Sequence, residues 1–248
     1  DIKGGYILSP PNLPGWDRVP IVEWLEKKLS LPAYLQNDAD ACALAEWKYG
    51  AGKGMHHFVF GTFGTGMGMG LILNDRLYTG RNGGAGEIGH MRMNPCGPVG
   101  YGKVGSFEGF CSGGGMAVLG QMMALAAIQR GEAPLYCKNK KELPSVTAEE
   151  IAKAAFKGDR TALEVFAQTG KRLGEGLAVL MDVLNPDGIA LGSIFARCEN
   201  LLRPAMEKAL EEETLPGNRC PVFPAALGEQ IGDVAAVCVA MEGRGRKA

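Results

Sequence analysis

The sequence predicts an α/β protein, and three observations carry that prediction. Short apolar runs bounded by turn residues alternate with longer segments that repeat at helical spacing. The helical segments open on residues that cap helices, at Asn37-Asp38, Thr147 and Asp159. A glycine-rich block, Gly61 to Glu108, follows directly on a strand candidate, where open α/β sheets place ligands.

Taken in order, Tyr6–Leu8 is a short strand candidate, and SPPNLPGW is a stiff, proline-fixed loop ending on Trp16, a residue expected to pack against those prolines. Pro20 to Leu29 reads as a helix with Val19, Ile21, Val22, Leu25 and Leu29 on one face, and Pro32–Leu35 as a short buried strand. In NDADACALAEWKYG, residues 37–50, Asn37 and Asp38 stand at an N-cap and Gly50 can end the helix. From this segment alone, a plain capping carboxylate and a catalytic one are equally good accounts of Asp38.

Met55–Phe60 is a strand, and GTFGTGMGMG follows it. Such a run most simply serves tight turns. Its alternation, Gly64, Gly66, Gly68 and Gly70 with Thr65 inside it, would instead leave one face of a strand end bare for a ligand. Backbone N–H groups there could form an anion nest. Asn74-Asp75 separates two apolar runs and predicts a hairpin. Glu87 and His90, three apart, reach the same side of a turn, and a second carboxylate, Glu108, closes the block. His90 and Cys96 raise zinc as a question, but one imidazole and one thiolate fall short of four ligands.

Beyond Gly113 the chain turns helical. Met116 to Arg130 is apolar on most faces, and its methionines read as core filler. Helices start at Thr147 and Asp159, Asn185-Pro186-Asp187-Gly188 is a turn, and a strand, IALGSIF, ends on Gly192-Ser193. A helix from about Cys198 to Glu211, a short strand from Pro221 and a last helix capped by Asp233 complete the reading.

Composition bounds the function. The 248 residues are 46% hydrophobic and 21% charged, enough for one large domain or two smaller ones. A formal net charge of -1 gives no field toward nucleic acid, and the basic end at Arg244, Arg246 and Lys247 reads as a solvated tail. No run is apolar enough for a bilayer and no signal peptide is evident; seven scattered cysteines without CxxC spacing read as reduced thiols, so the expected location is the cytoplasm. A phosphate cradle beside a hydroxyl-reading group of carboxylates and a histidine suggests a sugar kinase.

In this order and spacing, SPPNLPGW, NDADACALAE, GTGMGMG, GAGEIGH, GSFE, NPDGIALGS and IGDVAA resemble the ROK family of sugar kinases and sugar-responsive repressors. The resemblance implies an actin-like ATPase (ribonuclease H-like) fold of two lobes, with residues 1–37 the remaining part of a small N-terminal lobe and 38–248 the large one. It implies Asp38 as general base, with Asn37, Glu87, His90 and Glu108 on the sugar. Gly64, Thr65 and Gly66 would face the β- and γ-phosphates of ATP with Mg2+, and Gly192 and Ser193 the adenosine. A homo-oligomer is expected, with a hexose or N-acetylhexosamine as substrate and no nucleic-acid partner, its choice of sugar resting on the loop around Asn12 and Trp16.

Two departures accompany the resemblance. The family's N-terminal Asp-x-Gly-Gly-Thr-Lys-type hairpin does not occur, so the chain is expected to be N-terminally incomplete and its transfer activity impaired or absent without that hairpin. The family's zinc cysteines fall on Val99, Tyr101 and Ser106, which implies a zinc-free branch in which Tyr101 and its neighbours hold the loop. The rival reading is the non-catalytic sugar-sensing module of a transcriptional regulator.

Overall fold

A computed structural model describes residues 1–10 and 13–247, without the side chains of 246 and 247. Pro11 and Asn12 of the expected stiff loop therefore lie outside the described residues, as do the side chains of Arg246 and Lys247.

The centre is a five-stranded mixed sheet in the order β3-β2-β1-β6-β7. Its strands are β1 (Phe58–Thr62), β2 (Gly68–Leu73), β3 (Arg76–Tyr78), β6 (Gly188–Leu191) and β7 (Val222–Pro224). The first three form an antiparallel meander, while β6 runs parallel to both β1 and β7. The β2–β3 turn is Asn74-Asp75, both at positive φ (53° and 60°), as the primed turn expected there requires.

Alternation along the strands sorts the core into two layers. Phe58, Phe60, Ile72 and Ala190 point to one face, covered by α2 (Asp38–Tyr49) and α8 (Ile231–Lys247). Val59, Leu71, Ile189 and Leu191 point to the other. There they meet a helical layer that includes α3 (Phe107–Cys111), α4 (Gly113–Gln129), α5 (Ala148–Phe156), α6 (Arg160–Leu184) and α7 (Ile194–Glu213). Phe58 and Val59 are fully buried on opposite faces, each side chain worth about 1.5–3 kcal/mol of transfer free energy. Helices α6 and α7 cross closely because Gly174 has no Cβ; one placed there would sit 2.4 Å from the Met206 carbonyl oxygen.

Thr147 and Asp159 are N-caps, as expected, each accepting a backbone N–H from three residues on. Other expectations are corrected. Tyr6–Leu8 forms only an isolated bridge, Ile7 to Val19, and residues 32–35 form no strand, since no neighbouring strand lies alongside to complete a ladder. Helix α1 (Ile21–Leu29) forms as expected but buries no residue, with Trp24 54% and Leu29 57% exposed. Trp16 is exposed too. The last helix starts at Ile231, so Asp233 lies in its first turn instead of capping it, and α7 begins four residues earlier than Cys198, running over a non-helical Cys198 (φ -127°, ψ 27°). All seven cysteines are free thiols, and among the described residues no helix is long and apolar enough to cross a membrane.

Candidate active site

The site gathers where α2 begins, beside the loop from β1 to β2. Asn37, not Asp38, is the N-cap of α2: its side-chain oxygen accepts from the N–H groups of Ala39 (2.9 Å) and Asp40 (3.2 Å). That leaves the Asn37 amide N–H groups for another partner. Asp38 occupies the first helical position, exposed, with one carboxylate oxygen taking the Ala39 N–H at 2.9 Å. Among the described residues its second oxygen accepts no hydrogen bond.

Glu87 and His90 bracket a single 3₁₀ turn, Ile88–His90. Side chains three apart eclipse in that geometry, so the pair reaches one side. Gly86 makes the approach possible: at φ 84°, any Cβ there would overlap the Met69 carbonyl oxygen on β2. Burial raises the Glu87 carboxyl above its ordinary range, and the charges of Asp38 and Glu108 raise it further against the opposing pull of His90. Asp38, His90 and Glu108 are thus near enough to Glu87 for their charges to act on it.

Glu108, in the first turn of α3, ties that spot to the glycine loop. Its Oε2 accepts the Met67 N–H at 3.0 Å, and a Cβ on Gly66 would stand 3.1 Å from the same oxygen. Ser193 closes the loop from the sheet side, its hydroxyl 2.9 Å from that of Thr62 and its Oγ 3.8 Å from a Cβ built on Gly64. Apart from its chain neighbours, no other described residue comes within 4 Å of that Cβ position, while the Gly64 carbonyl itself accepts the Gly113 N–H at 2.7 Å, which ties this side of the loop to the start of α4. Gly192 donates its N–H to the Gly61 carbonyl at 2.8 Å, fixing the end of β6 against β1, and Ser193 is held at φ 51°, ψ -118°, a strained conformation for a non-glycine.

The bare face does not extend along the whole run, and here the sequence expectation is corrected. Cβ atoms on Gly68 and Gly70 would run into α2, the latter 2.5 Å from both the Ala39 carbonyl oxygen and the Ala43 Cβ. These two glycines admit a helix.

The loop carrying Val99, Tyr101 and Ser106 is held by a short hairpin and by side-chain hydrogen bonds. Val99–Gly100 (β4) and Lys103–Val104 (β5) form a hairpin whose turn, Tyr101-Gly102, has both φ angles positive, 44° and 73°. Lys103 Nζ donates to the His90 carbonyl (2.7 Å) and Arg92 to that of Val104 (2.7 Å). Ser106 caps α3 through the Gly109 N–H. Tyr101 touches the His90 ring edge to face, centroids 6.2 Å apart, but is itself 72% exposed, so the hairpin carries more of this task than the tyrosine. Among the described residues no three His, Cys, Asp or Glu side chains are grouped to hold a metal.

Sequence reasoning missed Asp40. It is 2% exposed, and neither carboxylate oxygen has a hydrogen-bond partner. The signal was present: positions 40, 43 and 44 fall on one helical face, the face that Ala43 and Leu44 bury. It also missed a recess of about 430 Å³ next to Ser193, lined by Ala152, Phe156, Ile194, Arg197 and Cys198.

Comparisons with known proteins bear on the family and the fold. The ROK family model matches residues 1–242. The chain is 31% identical to a glucokinase of Streptomyces coelicolor over 240 residues, 95% of this chain and 75% of that protein. It is also 31% identical to the DNA-binding transcriptional dual regulator NagC of Escherichia coli, over 89% of this chain and 53% of the regulator. Among solved structures, a ROK family glucokinase from Streptomyces griseus in complex with glucose and AMPPNP superposes with a TM-score of 0.81 at 29% identity, covering 96% of this chain and 77% of that one. The actin-like ATPase fold implied by the motifs is the fold of this chain.

Proposed function

The chain belongs to the ROK family, and from that premise we propose that it transfers a phosphoryl group from ATP to a hydroxyl of a hexose or N-acetylhexosamine. The observation that carries this reading is the bridge made by Glu108, which joins a cluster of hydroxyl-accepting side chains to an open stretch of glycine backbone. Asp38 is the general base: its unengaged oxygen takes the proton of the attacking hydroxyl as the bond to phosphorus forms. Glu87, Glu108, His90 and the Asn37 amide orient the sugar so that one hydroxyl faces Asp38.

The backbone of Gly64, Thr65 and Gly66 receives the β- and γ-phosphates, and Gly192 and Ser193 position the nucleoside side, with the recess between α5 and α7 taking the base. ATP supplies the transferred group, and Mg2+ carried with its phosphates neutralises charge. On this reading residues 1–37 belong to a small lobe and 38–248 form the large lobe.

The test is ADP release against a hexose panel with ATP and Mg2+. A sugar-dependent signal is expected from a chain that also carries the family's N-terminal phosphate-binding hairpin, falling at least about 100-fold in Asp38→Asn. The same 31% identity to NagC, over a smaller share of that regulator, supports a second reading, a sugar-sensing module without transfer. Sugar binding with no ADP release across the panel would select it.

A further inference from the structure

Asp40 is the one buried side chain whose polar atoms have no partner among the described residues. It sits one helical turn beyond the Asn37 cap, where an acidic side chain ordinarily reaches back to a free backbone N–H. Here that route is closed, because the Asn37 N–H is taken by Gln36 Oε1 at 2.9 Å. A carboxylate buried without a donor is among the costliest groups a fold can hold, and the usual resolution is to keep its proton.

The surroundings favour the same outcome. Strands β1 and β2, packed on α2, carry no titratable residue. Arg76 of β3 and Glu242 of α8 lie with Lys48 at the far end of α2, and Asp233, in the first turn of α8, is exposed. The charges that act on Asp40 are Glu87 across the site and Asp38 on its own helix, both acidic. Burial, then Glu87, then Asp38 push its carboxyl up to about 7.

Building on the sugar-site reading, we propose that Asp40 is a positioning residue, held as the neutral acid, whose proton keeps one negative charge out of the site so that Glu87 stays ionised and directed at the sugar. Loss of that proton adds a further carboxylate charge to a site that already holds those of Asp38, Glu87 and Glu108. Glu87 then either takes up a proton or turns from its place, and the sugar loses an acceptor. The consequence is a fall in sugar affinity as pH rises through about 7, the reverse of what simple ionisation of Glu87 would give.

Asp40→Asn keeps the shape and fixes the neutral state. Two measurements separate this inference from the reading it rests on. The first is ligand-free melting of both proteins from acid to alkaline pH. Between about 4 and about 7 the folded wild type keeps a proton that the unfolded chain has released, so its stability falls as pH rises through that window and then levels. The variant has no such proton, so its melting temperature should climb relative to wild type up to about pH 7 and then run parallel. A difference independent of pH overturns the proposal.

The second is calorimetric titration with D-glucose and N-acetylmannosamine at pH 6 and pH 8.5. Wild-type affinity is expected to fall about tenfold between them, the size of one neighbouring-charge effect, with a flat profile in Asp40→Asn. The same slope in both proteins overturns the role assigned to Glu87. Absence of sugar binding overturns the functional reading and that role together, while melting still decides where the proton resides. Should the variant fail to fold, a carbon-13 NMR titration of wild-type aspartate carboxyls replaces it: one titrating near neutrality supports the proposal, and none doing so overturns it.

Discussion

Gly64 and Gly66 stand in the same alternating run as Gly68 and Gly70, four residues apart at most from their counterparts, yet the two pairs do different things. At the second pair the missing side chains make room for the backbone and Ala43 of α2; at the first, Gly64 opens on nothing but the Ser193 hydroxyl. The same absence of Cβ thus seats a helix on the sheet in one half and leaves the Cβ side of Gly64 free in the other, its carbonyl being held by the Gly113 N–H. A glycine says that something comes close. What comes close, protein or ligand, depends on where the next element packs.

The comparison can be broken most directly at Gly70. An added Cβ there meets backbone on α2, which cannot rotate away, so Gly70→Ala should destabilise the fold by about 1–3 kcal/mol or more, seen as a lowered melting midpoint in urea or heat. A change within experimental error would mean that α2 is not seated on that strand as described. Next in size is Glu108→Ala, which removes the acceptor of the Met67 N–H. A hydrogen bond to a charged group is worth about 1.5–3 kcal/mol, so sugar and nucleotide KM should each rise about tenfold or more, whereas loss confined to one substrate would show that the carboxylate serves a single half.

Gly64→Ala sharpens the contrast from the other side. Its φ is not positive and its Cβ would have space, so stability should change by less than about 0.5 kcal/mol. Nucleotide KM should nonetheless rise severalfold, because the new methyl group stands where phosphate would approach. Smallest is Lys103→Ala, expected to shift melting by under about 1 kcal/mol, while weakening sugar binding slightly through the freed His90 carbonyl. Stability loss equal to that of Gly70→Ala would make the hairpin a structural element in its own right.

Much of the large layer was legible in sequence, because its signals are local. The apolar run Met55–Phe60 marked the strand that forms at Phe58–Thr62, Thr147 and Asp159 cap helices by side chains within three residues of the bonds they make, and Asn74-Asp75 forces its own turn. The first 37 residues were harder for a physical reason. Periodicity identifies the apolar side of α1, but burial needs a second surface, and among the described residues none covers Trp24 or Leu29. Strand candidates at residues 6–8 and 32–35 failed likewise, since a strand exists only with a neighbour.

In the site, Glu87 and His90 were readable from their spacing. The assignment of Glu108 to the sugar left out its bond to Met67, which spans 41 residues and leaves no mark in either segment. Asp40 was passed over because an acid near a helix start is ordinarily a favourable surface residue. Only the packing of that turn against β2 makes it otherwise.

The Glu108 carboxylate has two oxygens, and Met67 engages one of them. On the proposed reading, one carboxylate that touches both subsites would link them thermodynamically. If a hexose draws the free oxygen into register, the glycine segment is ordered before the nucleotide arrives, and the nucleotide must in turn tighten the hexose by the same factor. Water occupying the acceptor's place could not complete that cycle, so discrimination against wasteful hydrolysis of ATP would follow from one side chain's reach.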